Sequence, residues 1–517
     1  FLCPHMPDGK KRKCAPGEQE MNSRDVRELN DEEEVADCVS TSKLAGRCLP
    51  RSTSIPCYMY MIAATASLNS VDYGFDIGVS SGVALYLRET FHIGDVQVGW
   101  FFSLVPITAG IGALIAHWVS DRFGRKGNFL GSQVIGITGV TLCALSVSYE
   151  MILVGRCLVG ISMGIGMSID PMYISETAPA EHRGKLTTWA EMSTNMGIVL
   201  GFFFNWLFKD LPENVNWRVM LLCGIFIPSL LIILTLAFMP ESPRWLITKG
   251  RTEEAKRVLR RTHPEGADID AVVQSIVEDI QQAELHEATT WKSVLCPAKQ
   301  YRHTVWLAFF IAVSQQINGV EGVLFYAPTL YERAGVAETK EDQFTLTVTL
   351  GLVKVIFIGV SMAVLDSMGR RPLLISGSMG MVLSLMMVSL GSNRDLDVGI
   401  LAVIGTFAFV AFFSIGFGPV CWLYASELFP STLRSKGMSL CVLVNRAGAA
   451  FVNLGFLPLS NLLGGQAALF GLYAAITAMI TVVAVVTAIE TKGKTLEEIS
   501  APKSQKSPEG PLRHGVV

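Results

Sequence analysis

Asp121-Arg122-Phe123-Gly124-Arg125-Lys126 returns 245 residues later (366 − 121) as Asp366-Ser367-Met368-Gly369-Arg370-Arg371. Two further matches keep nearly the same spacing. Tyr173-x-x-Glu176, followed by Arg183-Gly184, returns as Tyr424-x-x-Glu427, followed by Arg434, and 427 − 176 is 251. Pro240-Glu241-Ser242-Pro243-Arg244 returns loosely as Glu490-Thr491-Lys492-Gly493-Lys494, and 490 − 241 is 249. Three matches in one order imply two halves built alike and arranged in parallel.

Between these charged stations run long apolar blocks. The chain has 517 residues, 50% hydrophobic and 17% charged, with mean hydropathy +0.41. Soluble domains carry about 25% charged residues. The charges gather in residues 1–56, in 241–302, in short clusters and in 490–517. This distribution excludes a secreted disulfide scaffold and a disordered chain. A net charge of −3 with no basic domain excludes nucleic-acid binding. A polytopic membrane protein remains.

A helix crosses a bilayer with about 20 mostly apolar residues. Twelve stretches meet that length: 57–86, 96–119, 128–148, 151–172, 187–208, 216–239, 303–331, 344–366, 373–392, 398–425, 436–459 and 466–489. The expected fold is all-α, with six helices in 57–240 and six in 303–489. Arg122, Arg125, Lys126, Arg183, Lys185, Arg370, Arg371, Arg434 and Lys436 fall in one set of loops; Arg88, Lys209, Arg333, Lys340 and Arg394 fall in the other. Positive charge places the first set, and both termini, in the cytoplasm. Residues 1–56 and 490–517 read as polar cytoplasmic tails, the first disordered. Residues 241–302 read as a cytoplasmic linker with short amphipathic helices over 252–261 and 270–287. Met6 or Met21 is an expected start, and neither a cleavable signal nor an N-glycosylation sequon is found. The eleven cysteines lack metal or redox spacing, so no metal and no cofactor is expected. Cys3, Cys14, Cys38 and Cys48 are open to acylation.

Two similar halves can rock about a midplane site and open it to either side in turn. The repeated cytoplasmic charges suit a latch for that motion. Asp121, Arg125, Glu176, Arg183 and Glu241 would form one cluster, and Asp366, Arg371, Glu427, Arg434 and Glu490 the other. Arg125 is expected beside Glu176, and Arg371 beside Glu427.

Further motifs join these: Pro171-Met172-Tyr173-Ile174-Ser175-Glu176, Pro240-Glu241-Ser242-Pro243-Arg244-Trp245-Leu246, Gln315-Gln316-Ile317-Asn318-Gly319, Gly418-Pro419-x-x-Trp422 and Glu490-Thr491-Lys492-Gly493-Lys494-Thr495-Leu496-Glu497-Glu498. Over about 57–500 the chain resembles the sugar porter family of the major facilitator superfamily, nearest to its plant-type polyol, inositol and monosaccharide proton symporters. One departure is His117, where the loop motif usually begins with glycine.

Ionisable groups inside a bilayer are costly and mark function by default. Six stand out: Asp76, Arg156, Glu191, Glu321, Lys354 and Arg446. The resemblance implies that Asp76 and Arg156 are the aspartate–arginine pair of proton-coupled members, and Asp72 reads as a bystander near the pore mouth. It also implies sugar contacts at Tyr73, Gln315, Gln316, Glu321, Trp422 and Asn445, and less directly at Glu191, Lys354 and Arg446. Amides donate and accept at once, which suits vicinal hydroxyls. Gln315 and Gln316 are adjacent, so both are not expected to serve one protein neighbour; that favours substrate over helix–helix bonding. Glu191, Glu321, Lys354 and Arg446 replace groups that are commonly neutral in hexose porters and point to a ligand rich in hydroxyls.

The leading expectation is a monomeric plasma-membrane symporter that binds a proton with a polyol, inositol or monosaccharide. An uncoupled facilitator of the same fold, with Asp76 structural, stays open, as does a nutrient sensor on a transporter fold. No nucleotide-binding loop, metal cluster or nucleophile with a partnered base suggests an enzyme.

Overall fold

A computed structural model describes residues 56–492 apart from 180–181, 265, 287–290, 300, 394–395, 397 and 430. Residues 1–55 and 493–517, with Cys3, Cys14, Cys38 and Cys48, lie outside the described residues. Every regular element among the described residues is a helix. The first set is α1 (Cys57–Phe91), α2 (Asp95–Ala144), α3 (Tyr149–Thr177), α4 (Arg183–Leu207), α5 (Glu213–Leu222) and α6 (Phe226–Ala237). Four short helices follow: α7 (Pro243–Thr248), α8 (Thr252–Thr262), α9 (Ile269–His286) and α10 (Trp291–Leu295). The second set is α11 (Arg302–Ile317), α12 (Val320–Arg333), α13 (Lys340–Met368), α14 (Arg370–Gly391), α15 (Gly399–Ile415), α16 (Phe417–Leu428), α17 (Ser431–Leu462) and α18 (Gln466–Thr487).

Nine helical stretches among the described residues are long and apolar enough to cross a membrane. The 214–237 and 340–365 stretches reach mean hydropathies of 2.7 and 2.3, yet only 33% of each window is buried. Such faces suit lipid and not water. α2 is one continuous run, but Gly124 holds φ 81° and ψ 174° inside it, so 95–123 and 125–144 are separate rods. α1 and α4 stand outside the nine. They are 35 and 25 residues long, but polar side chains dilute their hydropathy. With these two added and α2 taken as two rods, each of the twelve expected spans has a helix in its place.

Three expected spans are broken. A 3₁₀ turn at Cys223–Ile225 separates α5 from α6. Gly319, at φ 89°, ends α11 and starts α12, and Gly416 divides α15 from α16. The last two breaks lie beside Gln315, Gln316, Glu321 and Trp422, where interrupted helices free backbone carbonyls to bond side chains.

Small residues set the closest helix approach. A Cβ on Gly74 of α1 would lie 1.9 Å from Thr194 O of α4, and one on Gly197 would lie 2.1 Å from Val71 O. Within lipid, such backbone contact is a main source of helix association. Between the two sets, α2 packs on α17, and Ser103 Oγ donates to Ala450 O at 2.9 Å. In the linker, α8 turns Ala255 and Val258 onto Leu246 of α7.

Candidate functional site

The buried charges form two clusters. In the first, Arg156 of α3 donates from Nη1 to Asp76 Oδ1 of α1 at 2.5 Å, with both side chains at or below 9% exposure. Arg156 Nε donates to Phe101 O at 3.2 Å, and the guanidinium lies 4.5 Å from the Phe101 ring centre. Asp76 Oδ2 and Arg156 Nη2 are buried and have no partner among the described residues. The pair is therefore monodentate. It lacks the second bond that makes arginine–carboxylate pairs rigid.

The second cluster centres on Arg446 of α17. Its Nη1 donates to Tyr73 Oη on α1, across the two sets, and lies 3.4 Å from Glu321 Oε1 on α12. Its Nη2 and Nε donate to Asn445 Oδ1 at 2.6 and 3.1 Å. Asn453 Nδ2 donates to Glu321 Oε2 at 3.1 Å. Tyr73 and Asp76 share a turn of α1, so the clusters adjoin.

The amides behave differently from expectation. Gln316 Nε2 donates to Asn445 Oδ1 at 3.3 Å, while Asn445 Nδ2 donates to Gln315 Oε1 at 2.8 Å. Both adjacent glutamines thus meet one neighbour. They can because the Asn445 amide offers an acceptor and a donor on opposite sides. Gln315 Nε2 also donates to Phe417 O and Gly418 O at 3.2 and 3.1 Å, carbonyls at the start of α16. Gln316 Oε1 and Asn453 Oδ1 remain buried acceptors without a partner among the described residues. Trp422 is one turn past Gly418 and half-buried against the core.

Lys354 of α13 donates to Asn195 Oδ1 of α4 at 2.6 Å and lies 5.9 Å from the Phe413 ring centre. Glu191, one turn before Asn195, is half-buried; its backbone carbonyl accepts from Asn195 Nδ2 at 2.7 Å, while its carboxylate makes no hydrogen bond or close ion pair among the described residues. The hydrogen-bond partner of Lys354 is thus a neutral amide.

The two clusters expected to act as latches repeat most of their contacts. Arg125 Nη2 donates to Glu176 Oε1 at 2.8 Å, and Arg370 Nη2 to Glu427 Oε1 at 3.0 Å. Ser242 Oγ and Thr491 Oγ1 each donate to the second carboxylate oxygen at 2.5 Å. Tyr173 Oη donates to Pro240 O at 2.8 Å, and Tyr424 Oη to Ile489 O at 2.7 Å. Glu241 accepts from the Arg125 and Lys126 backbone N–H groups, and Glu490 from those of Arg370 and Arg371. Arg370, not Arg371, is thus the partner of Glu427; Arg371 reaches Val485 O instead, at 2.9 Å. Arg370 is the residue that aligns with Arg125 at the repeat offset. Asp121 is 3.8 Å from Arg125 and 80% exposed, and Arg434 Nε and Nη2 are buried without a partner among the described residues. The side chains of Arg183 and Asp366 lie outside the described residues. Burial pushes the Glu241 carboxyl up despite its backbone donors. Glu490 is desolvated as well, but four backbone N–H groups outweigh that and hold it below the usual carboxylate range.

Both latches are internal to one set of helices. The bonds that cross between the sets at the opposite end were not foreseen. Asn461 Nδ2 donates to Asp95 Oδ2 at 2.7 Å, Lys340 pairs with Glu89 at 2.9 Å, and Lys209 lies 3.8 Å from Glu341. Beneath them Phe102 stacks on Phe325 at 4.6 Å and meets Tyr326 edge-on at 4.9 Å. Acids and bases in short loops were visible in the sequence, but their pairing needed the fold. Toward the latches, His117 Nε2 is 3.2 Å from Ser439 Oγ across the sets, and a cleft of about 370 Å³ is lined by Ser67, Val71, Trp189 and Met362.

The family described as "Sugar (and other) transporter" matches residues 59–502. The chain belongs to that family. It is 35% identical to "Probable polyol transporter 6" of Arabidopsis thaliana, over 90% of this chain and 97% of the relative. It is 36% identical to "Probable polyol transporter 4" of the same plant, over 86% and 84%. Among solved structures, the major facilitator proton:xylose symporter XylE bound to 6-bromo-6-deoxy-D-glucose has TM-score 0.70 at 23% identity, covering 86% of this chain and 98% of that one. The protein is a multi-pass membrane transporter of the sugar and polyol type with the major facilitator fold, and not an enzyme.

Proposed function

We propose that this transporter is a proton symporter that accumulates a polyol, inositol or monosaccharide, with its latches and termini on the cytoplasmic side of the plasma membrane. The observation that carries the reading is the Asp76–Arg156 pair: buried, monodentate, and one turn from Tyr73. An arginine beside a buried carboxylate favours its ionised form, and withdrawing the arginine in a dry site favours the protonated form. Asp76 would exchange Arg156 for a proton as the helices rock. The Tyr73–Arg446 bond links that turn of α1 to the second set, so the exchange is felt at Glu321 and Asn445. The partnerless acceptors Gln316 Oε1 and Asn453 Oδ1 suit hydroxyl protons of the ligand, and Lys354 and Arg446 suit its oxygens. The bonds across the end opposite the latches support reading this conformation as one that opens toward the cytoplasm. One charge carried through the full field contributes about 2.3 kcal/mol per 100 mV.

The test is substrate-induced alkalinisation of a lightly buffered medium, with uptake of labelled inositol, sorbitol, glucose and xylose at two external pH values. Alkalinisation and uphill accumulation are expected. Asp76→Asn is expected to abolish both and to retain counterflow exchange. Uptake that never passes equilibrium and moves no protons in the wild type would leave a facilitator.

A further inference from the structure

α3 carries a second buried acid that the pair at Asp76 does not use. Asp170 is 1% exposed. Its Oδ2 accepts from Asn69 Nδ2 at 3.2 Å and from Ser70 Oγ at 3.0 Å, both on α1. Its Oδ1 is buried and has no partner among the described residues. Gln133 Nε2 donates to Asn69 Oδ1 at 2.9 Å, and Gln133 Oε1 is a second buried acceptor left without a donor. No lysine, arginine or histidine among the described residues pairs with Asp170. The packing is built around this contact: a Cβ on Gly166, one turn before Asp170, would lie 1.9 Å from Asn69 Nδ2.

An unpaired buried carboxylate is among the costliest groups a protein can hold. Here neutral donors alone meet it, and two acceptors lack a proton. A proton on Oδ1 removes the charge and turns one orphaned acceptor into a donor.

The position adds a route. Asn69, Asp72 and Asp76 are spaced by three and four residues, which places them on one stripe of α1. All three are buried, at 4, 8 and 7% exposure. Asp170 therefore meets the end of the stripe nearer the latches. Ser67 and Val71, flanking Asn69 and Ser70, line the cleft on that side. The charged and titratable groups on the elements around it include Asp72, Tyr73 and Asp76 on α1, His117, Asp121 and Arg125 on α2, Arg156, Tyr173 and Glu176 on α3, and Glu191 on α4; none of these bonds to it.

We propose that Asp170 is a proton-binding site, held as the neutral acid, through which the coupling proton passes from Asp76 toward the latch end. The inference rests on the symport reading for its second half only. Asp170 releases its proton to water at the latch end and becomes a carboxylate. It then takes the proton from Asp76 by way of Asp72, and Asp76 regains Arg156. One proton enters and one leaves.

The test uses the full chain in proteoliposomes. Infrared spectra at neutral pH are expected to contain a protonated-carboxyl C=O band that weakens in Asp170→Asn; an unchanged band would mean an ionised Asp170 and overturn the proposal. The ratio of uphill accumulation to counterflow is expected to fall on the order of tenfold in Asp170→Asn and to recover to within about twofold in Asp170→Glu. Taking the ratio sets aside losses of folded protein. An unchanged ratio in the first variant, or no recovery in the second, overturns the relay. A wild type that takes up no protons with substrate fails the symport reading instead, while the infrared band still decides the state of Asp170.

Discussion

Arg370 and Arg371 adjoin in sequence but face different partners. Arg370 gives Glu427 two side-chain donors, Nε at 3.2 Å and Nη2 at 3.0 Å. Arg371 reaches only a backbone carbonyl on a more exposed face. Hydrogen bonds to charged groups contribute about 1.5–3 kcal/mol, so Arg370→Gln is expected to lower the thermal midpoint of the purified transporter by several times the effect of Arg371→Gln. Glu490 adds a pH dependence with a definite sign. Its carboxyl is held below the usual range, so its ionised form stabilises the fold at neutral pH, and that contribution is lost as pH falls through its lowered value. Glu490→Gln is therefore expected to melt below wild type at pH 7, with the gap closing as pH falls below the usual carboxylate range. Glu241→Gln is expected to be the milder change at pH 7, since burial already opposes that charge.

At the level of helices, the two latch glycines carry the repeat. Gly124 and Gly369 hold φ 81° and 88° with ψ near 174° and 172°, a region open essentially to glycine alone. A Cβ at Gly124 would sit 2.3 Å from Glu241 Oε2, and one at Gly369 would sit 2.9 Å from Glu490 Oε2. Strain of this kind costs about 1–3 kcal/mol. Gly369→Ala is expected to fall in that range and Gly124→Ala above it, read as loss of folded protein in a detergent melt. The repeat made these elements legible, because backbone requirements recur wherever the loop recurs. Apolar length made most helices legible too. α1 and α4 fall outside the nine apolar stretches for a physical reason: Asn69, Asp72, Asp76, Glu191 and Asn195 dilute the signal that lipid-facing helices display in full. The breaks at Gly319 and Gly416 were not read, since an interrupted helix inside protein keeps its apolar composition. Asp170 was passed over because it precedes the Pro171–Glu176 motif in an apolar run, and only its lack of a cation partner in the fold sets it apart.

Across the whole molecule, composition could not say how the halves meet. Charges in the short loops opposite the latches read as a topology signal, whereas the fold pairs Asp95 with Asn461 and Glu89 with Lys340 across the halves. These bonds differ in worth. Lys340 and Glu89 are 37% and 49% exposed, so their pair contributes about 0.2–1 kcal/mol. Asp95 is more sheltered, at 22%, and also holds Arg88 at 2.5 Å, so its bond to Asn461 is a charge-assisted contact on a carboxylate already fixed in place. Such a bond contributes about 1.5–3 kcal/mol. On the proposed rocking motion the closed end forms in only one of two states, so this energy would bias the equilibrium between them rather than the stability of either half. Removing it from one state shifts the ratio of states about tenfold for each 1.4 kcal/mol. Asn461→Ala is therefore expected to raise the rate at which a cysteine at Phe102, beneath the closure, reacts with an impermeant thiol reagent added on the side of the closed end, by about tenfold to a hundredfold. Lys340→Gln is expected to raise it by no more than about fivefold, with the effect shrinking at high salt because that pair is exposed to screening. Equal rates in Asn461→Ala and its parent would mean that the aromatic contacts of Phe102 with Phe325 and Tyr326 hold the end shut unaided, and that the polar bonds above them only follow.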